Sequence, residues 1–296
     1  MHWQDKLRYW LTTNGVVAKL IAVNVLVFIL IYLLKTLSFF MQWPEDSWLS
    51  WLVFPKEISV YLSRPWTIIS YAFLHADFWH LLSNMIILYF SGQLFLTFYS
   101  EKRLLSYYFL GAILGALVYM LSFNFFPVFA SIEKSYLLGA SAGVMAILIG
   151  VATQAPNMQV RLFLLGNIKL WHIAVFFVAL DILQLSMSNT GGRLAHLGGA
   201  FLGFLYTKQL QQGRNIGAWF EQLVTFISSG FKFPSSKKAP FKKVYKNKAK
   251  TKKEVYETAA QKQARIDHIL DKISKSGYDS LSKEEKDYLF DKGENK

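Results

Sequence analysis

The chain has 296 residues, of which 53% are hydrophobic and 17% are charged. About a quarter of the residues of an ordinary soluble domain are charged, so this composition argues against a water-soluble protein. Cysteine is absent, which excludes disulfides and thiolate metal sites, and the net charge of +13 is uneven, with 14 Lys and Arg in residues 1–231 and 18 in residues 232–296.

Six apolar segments qualify as membrane spans, which need about 20 residues to cross roughly 30 Å of hydrocarbon. The N-terminus does not resemble a cleavable signal, because its apolar run starts late, is too long and lacks a small-residue cleavage site. With the N-terminus inside, basic residues of the short loops favour the inner side, which predicts two cytoplasmic termini. The predicted spans are 16–37, 78–98, 104–122, 136–154, 168–187 and 194–210.

A long outer segment, residues 38–74, separates the first two spans and contains Trp43, Trp48, Trp51 and Trp66. Tryptophan favours the membrane interface. We therefore expect this segment to lie partly in the outer leaflet, covered by protein where its backbone is irregular.

The composition changes from apolar to lysine-rich after the sixth span. This change predicts three parts: a membrane domain over 1–212, a basic juxtamembrane linker over 213–253, and a cytoplasmic helical hairpin over 254–296. Residues 232–253 contain ten lysines and no acid. This pattern is typical of a disordered linker, and it also predicts attraction to anionic lipid at about 1 kcal/mol per basic residue near the surface. It carries no specific signal for nucleic acid.

The C-terminal part has helical periodicity in Ile266, Ile269 and Ile273. Gly277 is a plausible end for this helix, and the pair Ser282 and Glu285 fits a capping box that opens a second helix. A hairpin of about 40 residues is marginal as an independent fold, so a partner or a second copy is an expected source of stability.

Polar residues lie in the outer halves of the three even-numbered spans, where they are costly and tend to mark function. These spans run from outside to inside, so the polar groups can share one depth. They are His75, His80 and Asn84 at the second span, Ser141 within Gly139–Gly143 at the fourth, and His196 at the sixth.

Each group alone also fits helix packing. Gly139 and Gly143 match a small-xxx-small pattern, in which a serine can bond a backbone carbonyl. His196 lies beside Gly199 and could bond across a tight interface, and His80 and Asn84 lie one turn apart on one helix face.

Together, the same residues supply a nucleophile, a base and oxyanion donors, the roles that hydrolysis requires. A soluble G-x-S-x-G elbow is excluded because no strand pattern precedes the serine. No H-E-x-x-H motif occurs, and we expect neither a metal nor a cofactor.

The three motifs, in this order and topology, resemble the rhomboid family of intramembrane serine proteases across residues 16–210. They are His75, His80 and Asn84 in HADFWHLLSN, G-x-S at Gly139-Ala140-Ser141, and A-H-x-x-G-x-x-x-G at Ala195, His196, Gly199 and Gly203.

The resemblance implies an all-α, six-span bundle in which Ser141 and His196 form a catalytic dyad without an orienting carboxylate. The side chains of His80 and Asn84, with the Ser141 amide, would form the oxyanion hole. Such enzymes cleave membrane-spanning substrates near their outer ends, at small residues preceded by a helix-destabilising stretch. The fifth span, with Trp171, Phe176 and Phe177, would be a lateral gate against the second.

Two positions depart from the family pattern. Several bacterial members place an aromatic four residues after the serine, where this chain has Met145, whose thioether can still contact a ring edge. The Trp-Arg pair common in the outer loop is replaced by Arg64-Pro65-Trp66. Asp181, in the fifth span, is interpreted as a hydrogen-bonded packing residue.

Two other functions compete with proteolysis. A non-catalytic rhomboid-like protein would bind transmembrane helices without cutting them, but such members usually lack the serine or the histidine. A small transporter would be expected to have internal repeats and broken helices, which are not evident. The favoured prediction is a multi-pass protease of the bacterial inner membrane that acts on transmembrane proteins.

Overall fold

The computed structural model describes residues 5, 15–162, 166–187, 189–228 and 259–293. The chain divides into two compact units, residues 1–234 and 235–296. The described helices of the first unit are α1 (Gly15–Met41), α2 (Glu45–Leu49), α3 (Ile58–Ser63), α4 (Thr67–Ser70), α5 (Phe78–Leu96), α6 (Glu101–Phe125), α7 (Ser141–Gln154), α8 (Leu170–Leu183), α9 (Thr190–Gln211) and α10 (Ala218–Ser228). Those of the second unit are α11 (Ala259–Ser276) and α12 (Lys283–Gly293).

The predominantly helical architecture agrees with the predicted fold class, but two short antiparallel ladders interrupt it. Strand β1 (Phe54–Pro55) pairs with β2 (Tyr136–Leu137), which ties the outer segment to the chain just before α7. Strand β3 (Gln159–Leu162) pairs with β4 (Gly166–Lys169) between α7 and α8. The sequence has no strand periodicity at these places, and the pairs are two to four residues long, too short for a periodic signal.

Two of the described helices, α1 and α6, are both long and apolar enough to cross a bilayer by themselves. Helices α7 and α8 are apolar but have 14 residues each, or about 21 Å at 1.5 Å per residue. Helices α5 and α9 carry the polar residues of the predicted site, which lower their hydropathy. The count of six spans therefore remains a prediction.

Helix α7 is the central helix of the bundle. Its residues from Ala142 to Ala152 are all buried, as expected for a helix that is apolar on every side. Close packing around it depends on glycine: a Cβ on Gly143 would lie 2.5 Å from the carbonyl oxygen of Tyr108 in α6, and one on Gly199 or Gly203 of α9 would meet the α7 backbone. Small residues thus bring three helices to the serine at the start of α7.

The predicted linker contains a described helix, α10 (Ala218–Ser228), that packs on the helical bundle. The domain boundary at residue 212 stays a prediction. Helix α10 packs on α6, where Arg103 Nε donates to Glu221 Oε1 at 3.0 Å. Tyr206 in α9 donates its hydroxyl to Asn215 Oδ1 at 2.8 Å. Sequence composition did not indicate this, because Arg103 lies more than a hundred residues before its partner in α10.

The outer segment is held by contacts between its own side chains. The indole rings of Trp51 and Trp66 stack with centroids 5.9 Å apart, and the Arg64 guanidinium lies 4.3 Å from the Trp51 ring centroid. Arg64 also donates to the Ser50 carbonyl at 2.9 Å. The departure at Arg64-Pro65-Trp66 therefore forms an ordered Trp–Arg–Trp cluster here.

Two local features of the second unit lie where the sequence predicts them, whereas its assignment as a cytoplasmic hairpin stays a prediction. Gly277 follows α11 with φ of +79°, a conformation that favours glycine. The capping box is confirmed, since the Ser282 amide donates to Glu285 Oε2 at 2.7 Å and the Glu285 amide donates to Ser282 Oγ at 3.3 Å. The bond from the Ser282 amide, together with Lys272, lowers the pKa of Glu285 to about 2. The lysine-rich stretch 232–253 lies outside the described residues, and its lipid contact remains a prediction.

Candidate active site

Ser141 is the first residue of α7, and a glycine turn sets its position. Gly139 has φ of +131°, a conformation that side chains disfavour, and its amide donates to the Tyr71 carbonyl at 3.0 Å. Amides in the first turn of a helix have no acceptor within the helix, and they lie at its positive end. The Ser141 amide is therefore suited to stabilise negative charge beside its own side chain.

His196 of α9 contacts the serine directly. Its Nε2 lies 2.6 Å from Ser141 Oγ. Gly199, one turn further along α9, lies against the Ala142 carbonyl with no room for a methyl group, so the close helix approach and the hydrogen bond occur together. The structure thus brings together the two residues predicted to form the dyad.

A carboxylate lies on the other side of the imidazole, which differs from the expected dyad without one. His196 Nδ1 is 3.0 Å from Asp181 Oδ1 and 3.2 Å from Oδ2, and Asp181 is 6% exposed. A carboxylate accepts hydrogen bonds, so this contact favours the tautomer with the proton on Nδ1, in which Nε2 can accept the serine hydroxyl.

Sequence reasoning treated Asp181 as a packing residue because no motif joins it to His196. An acid in an otherwise apolar span was itself a functional signal. The sequence did not show which residue Asp181 contacts, because its contact with His196 arises only where α8 and α9 cross.

His80 borders the serine from a third helix. Asp77 caps α5 by accepting the His80 amide at 2.9 Å, and the Ala76 amide donates to His80 Nδ1 at 3.3 Å. Because Nδ1 accepts, the ring proton is on Nε2. A Cβ on Gly139 would lie 3.0 Å from this Nε2 and 3.5 Å from Ser141 Oγ. The Nε2 of His80 and the serine oxygen therefore both border the small volume that Gly139 leaves open.

The remaining predicted site residues are buried nearby. Asn84 lies one turn below His80 and donates to its carbonyl at 2.8 Å, which leaves a second amide proton for another acceptor. Met145 lies one turn after Ser141 and packs in an apolar cluster with Leu148 and Ala200.

His75 stands apart from this arrangement. Its ring centroid is 5.1 Å from that of His80 in an edge-on contact, and both of its ring nitrogens are buried without a hydrogen-bond partner among the described residues. Burial, with a smaller effect of His80, lowers the pKa of His75 to about 4. The ring is neutral at pH 7 and serves as a packing partner for His80.

An apolar cleft of about 960 Å³ separates α5 from α8. Its walls include Ile86 and Phe90 of α5 and Ile173 and Phe176 of α8. This is where the resemblance predicts a lateral gate, although gating itself stays a prediction. Among the described residues, no group of three His, Cys, Asp or Glu could hold a metal ion.

Comparison with known proteins decides the family. The family model of the rhomboid domain matches residues 62–212. The chain belongs to the rhomboid family. Rhomboid proteins are integral membrane proteins, and the family supports an intramembrane protease-like function at this coarse level.

Two curated relatives are similar to part of this chain. The mitochondrial RHOMBOID-like protein 12 of Arabidopsis thaliana is 28% identical over 158 residues, 50% of this chain and 47% of the relative. The rhomboid protease GlpG of Yersinia enterocolitica is 30% identical over 162 residues, 53% of this chain and 52% of the relative. The chain thus spans about half the length of these relatives. A family of unknown function, DUF6576, matches residues 250–291.

Proposed function

We propose that this rhomboid is a serine endopeptidase that cleaves transmembrane segments of other membrane proteins near the outer face of a bacterial inner membrane, with both of its own termini in the cytoplasm. One observation carries the proposal: Ser141 Oγ lies 2.6 Å from His196 Nε2, within the distance at which a base activates a nucleophile.

Acylation follows from this geometry. As Ser141 Oγ bonds to the scissile carbonyl carbon, its proton passes to His196 Nε2, and the carbonyl oxygen becomes an oxyanion. The C–N bond then breaks, and the leaving amine takes the proton from His196. Ser141 is left as an ester of the substrate's N-terminal fragment.

The site stabilises the transition state mainly through hydrogen bonds to the oxyanion. The Ser141 amide, the Nε2 proton of His80 and the free amide proton of Asn84 are the proposed donors. Fixed donors in a water-poor site favour developing charge because they need no reorganisation, and losing one typically costs about 3–4 kcal/mol of barrier.

Deacylation requires water, which His196 deprotonates as it attacks the ester carbon. Ser141 leaves as the alcohol, the substrate fragment leaves as a carboxylic acid, and no cofactor takes part. A position near the outer end of the bundle lets water reach the serine. We further propose that substrate helices approach from the lipid through the cleft between α5 and α8, and that residues 232–253 contact anionic lipid.

A non-catalytic rhomboid that binds transmembrane helices is the alternative. It would have no need for a serine and a histidine in direct contact, and the separation of 2.6 Å therefore favours the enzyme.

A fluorophosphonate probe tests the proposal, because it reacts covalently with activated serines. The purified chain in detergent should be labelled, and Ser141→Ala and His196→Ala should not. Ser106→Ala is the matched control: this buried serine of α6 donates to its own helix at Lys102 O, 3.1 Å away, and its loss should leave labelling intact. A folded wild-type chain that does not react would favour the helix-binding alternative.

A further inference from the structure

We propose that Asp181 is a positioning residue for His196, so that the base acts within a Ser–His–Asp arrangement rather than as half of a dyad. This inference rests on the proposed function, since it concerns the same histidine. It adds the residue that sets the orientation and tautomer of the base.

The contact has the geometry of a hydrogen bond to an orienting carboxylate. Both Asp181 oxygens lie within 3.2 Å of His196 Nδ1, while Nε2 on the opposite side of the ring faces Ser141. One imidazole therefore connects a carboxylate on α8 with a hydroxyl on α7. The three groups come from three different helices.

The cost of burying a carboxylate argues for a specific role. Asp181 is the one acidic residue of α8, it is 6% exposed, and an unpaired charge in such a place is strongly unfavourable. A neutral Asn or Ser could fill a packing role at lower cost. A carboxylate is favoured where its partner becomes a cation, as His196 does each time it accepts the serine proton.

The chemical consequence concerns the tautomer. An imidazole with its proton on Nδ1 presents a lone pair at Nε2 to Ser141, whereas the other tautomer presents a proton and cannot act as the base. Asp181 favours the first form, and it then stabilises the imidazolium of the transition state without itself taking up the proton.

A competing role for Asp181 is an ion pair that joins α8 to α9. Arg193 Nη1 lies 3.9 Å from Asp181 Oδ1, longer than the 3.0 Å contact to His196. The shorter contact identifies the histidine as the principal partner. Arg193→Gln separates the roles, because it removes the ion pair and keeps the carboxylate on the imidazole.

The experiment combines a spectroscopic and a kinetic measurement on the full chain in detergent. Nitrogen-15 NMR of histidine-labelled protein reports the tautomer of His196, whose signals are assigned by their loss in His196→Ala. Labelling rates over a range of fluorophosphonate concentrations separate the maximal rate from probe affinity.

We expect His196 to carry its proton on Nδ1 in the wild type and in Arg193→Gln. In the isosteric Asp181→Asn variant we expect this preference to be lost, since an amide can donate to Nδ1. The maximal labelling rate should fall by about 10² to 10⁴-fold with little change in probe affinity.

Thr207→Val controls for general destabilisation. Thr207 is buried in α9 and bonds Tyr107 at 2.7 Å and the Gly150 carbonyl at 3.2 Å, far along the helix from His196. The Thr207→Val variant should keep His196 in the Nδ1 tautomer. Its labelling rate should fall by no more than its folded fraction falls.

Three results would overturn the inference. The first is a wild-type His196 that carries its proton on Nε2, and the second is an Asp181→Asn protein that is labelled at the wild-type rate. The third is an Arg193→Gln protein that shows the same tautomer change as Asp181→Asn. Failure of the proposed function is a different result, namely a folded wild type that is never labelled.

Discussion

Gly199 of α9 lies against the carbonyl of Ala142 in α7 so closely that a Cβ would overlap the carbonyl oxygen. Ala142 follows the proposed nucleophile directly, and Gly199 lies one turn from the proposed base. The separation of these two helices therefore controls the separation of Ser141 from His196.

Gly199→Ala should separate the two helices next to the site. Overpacking costs about 1–3 kcal/mol, and a displacement of about 1 Å between reacting groups can reduce the rate about 10²-fold. Fluorophosphonate labelling per folded molecule measures the effect. Gly203→Ala makes the same clash with Ala146 one turn toward the other end, so it should destabilise similarly and slow labelling less; equal losses would show that the effect is not local.

His80→Ala and Asn84→Ala should each slow labelling of Ser141, because each removes a proposed oxyanion donor. We expect about 10²-fold or more for either variant, with the folded fraction preserved. Asn24→Ala is the matched control, since this buried Asn also donates to its own helix, at Leu20 O, 2.8 Å away. Wild-type labelling rates in both site variants would contradict the assigned oxyanion hole.

The lowered pKa of His75 predicts that the helical bundle loses stability in acid. Its pKa of about 4 lies below the usual 6.5, so the folded state binds fewer protons than the unfolded state between these values. Stability is therefore complete above about pH 6.5 and falls as the pH drops toward 4, by about 3 kcal/mol at most. Thermal unfolding midpoints from pH 7 to 4.5 should fall less in His75→Phe than in the wild type, and parallel curves would exclude this role.

Glu285 predicts the pH response of the capping box in the second unit. Its pKa is lowered to about 2, so its contribution is present above about pH 4.3 and is lost as the pH falls through 2. NMR titration of the Glu285 carboxyl measures this directly. Ser282→Ala keeps the backbone amide, and should shift the midpoint upward only slightly because the bond from that amide is the larger cause. A midpoint near 4.3 in the wild type would contradict the capping geometry.

Local features of this protein were predictable because they depend on neighbouring residues. The capping box at Ser282 and Glu285 and the glycine after α11 involve contacts within a few positions. The helical core followed from long apolar runs. The expectation that Ser141 and His196 lie close together came from the predicted direction of the spans, which itself stays a prediction. Helix α10 was missed because its polar anchors lie on α6 and α9.

The sequence by itself predicted that Ser141, His196 and His80 share one depth, from hydropathy and the expected direction of each span. Only the tertiary structure decided which atoms meet. The contact of Asp181 with Nδ1 of His196 depends on the crossing and rotation of α8 and α9. Those are set by how closely glycines let the helices pack, and not by any spacing along the chain.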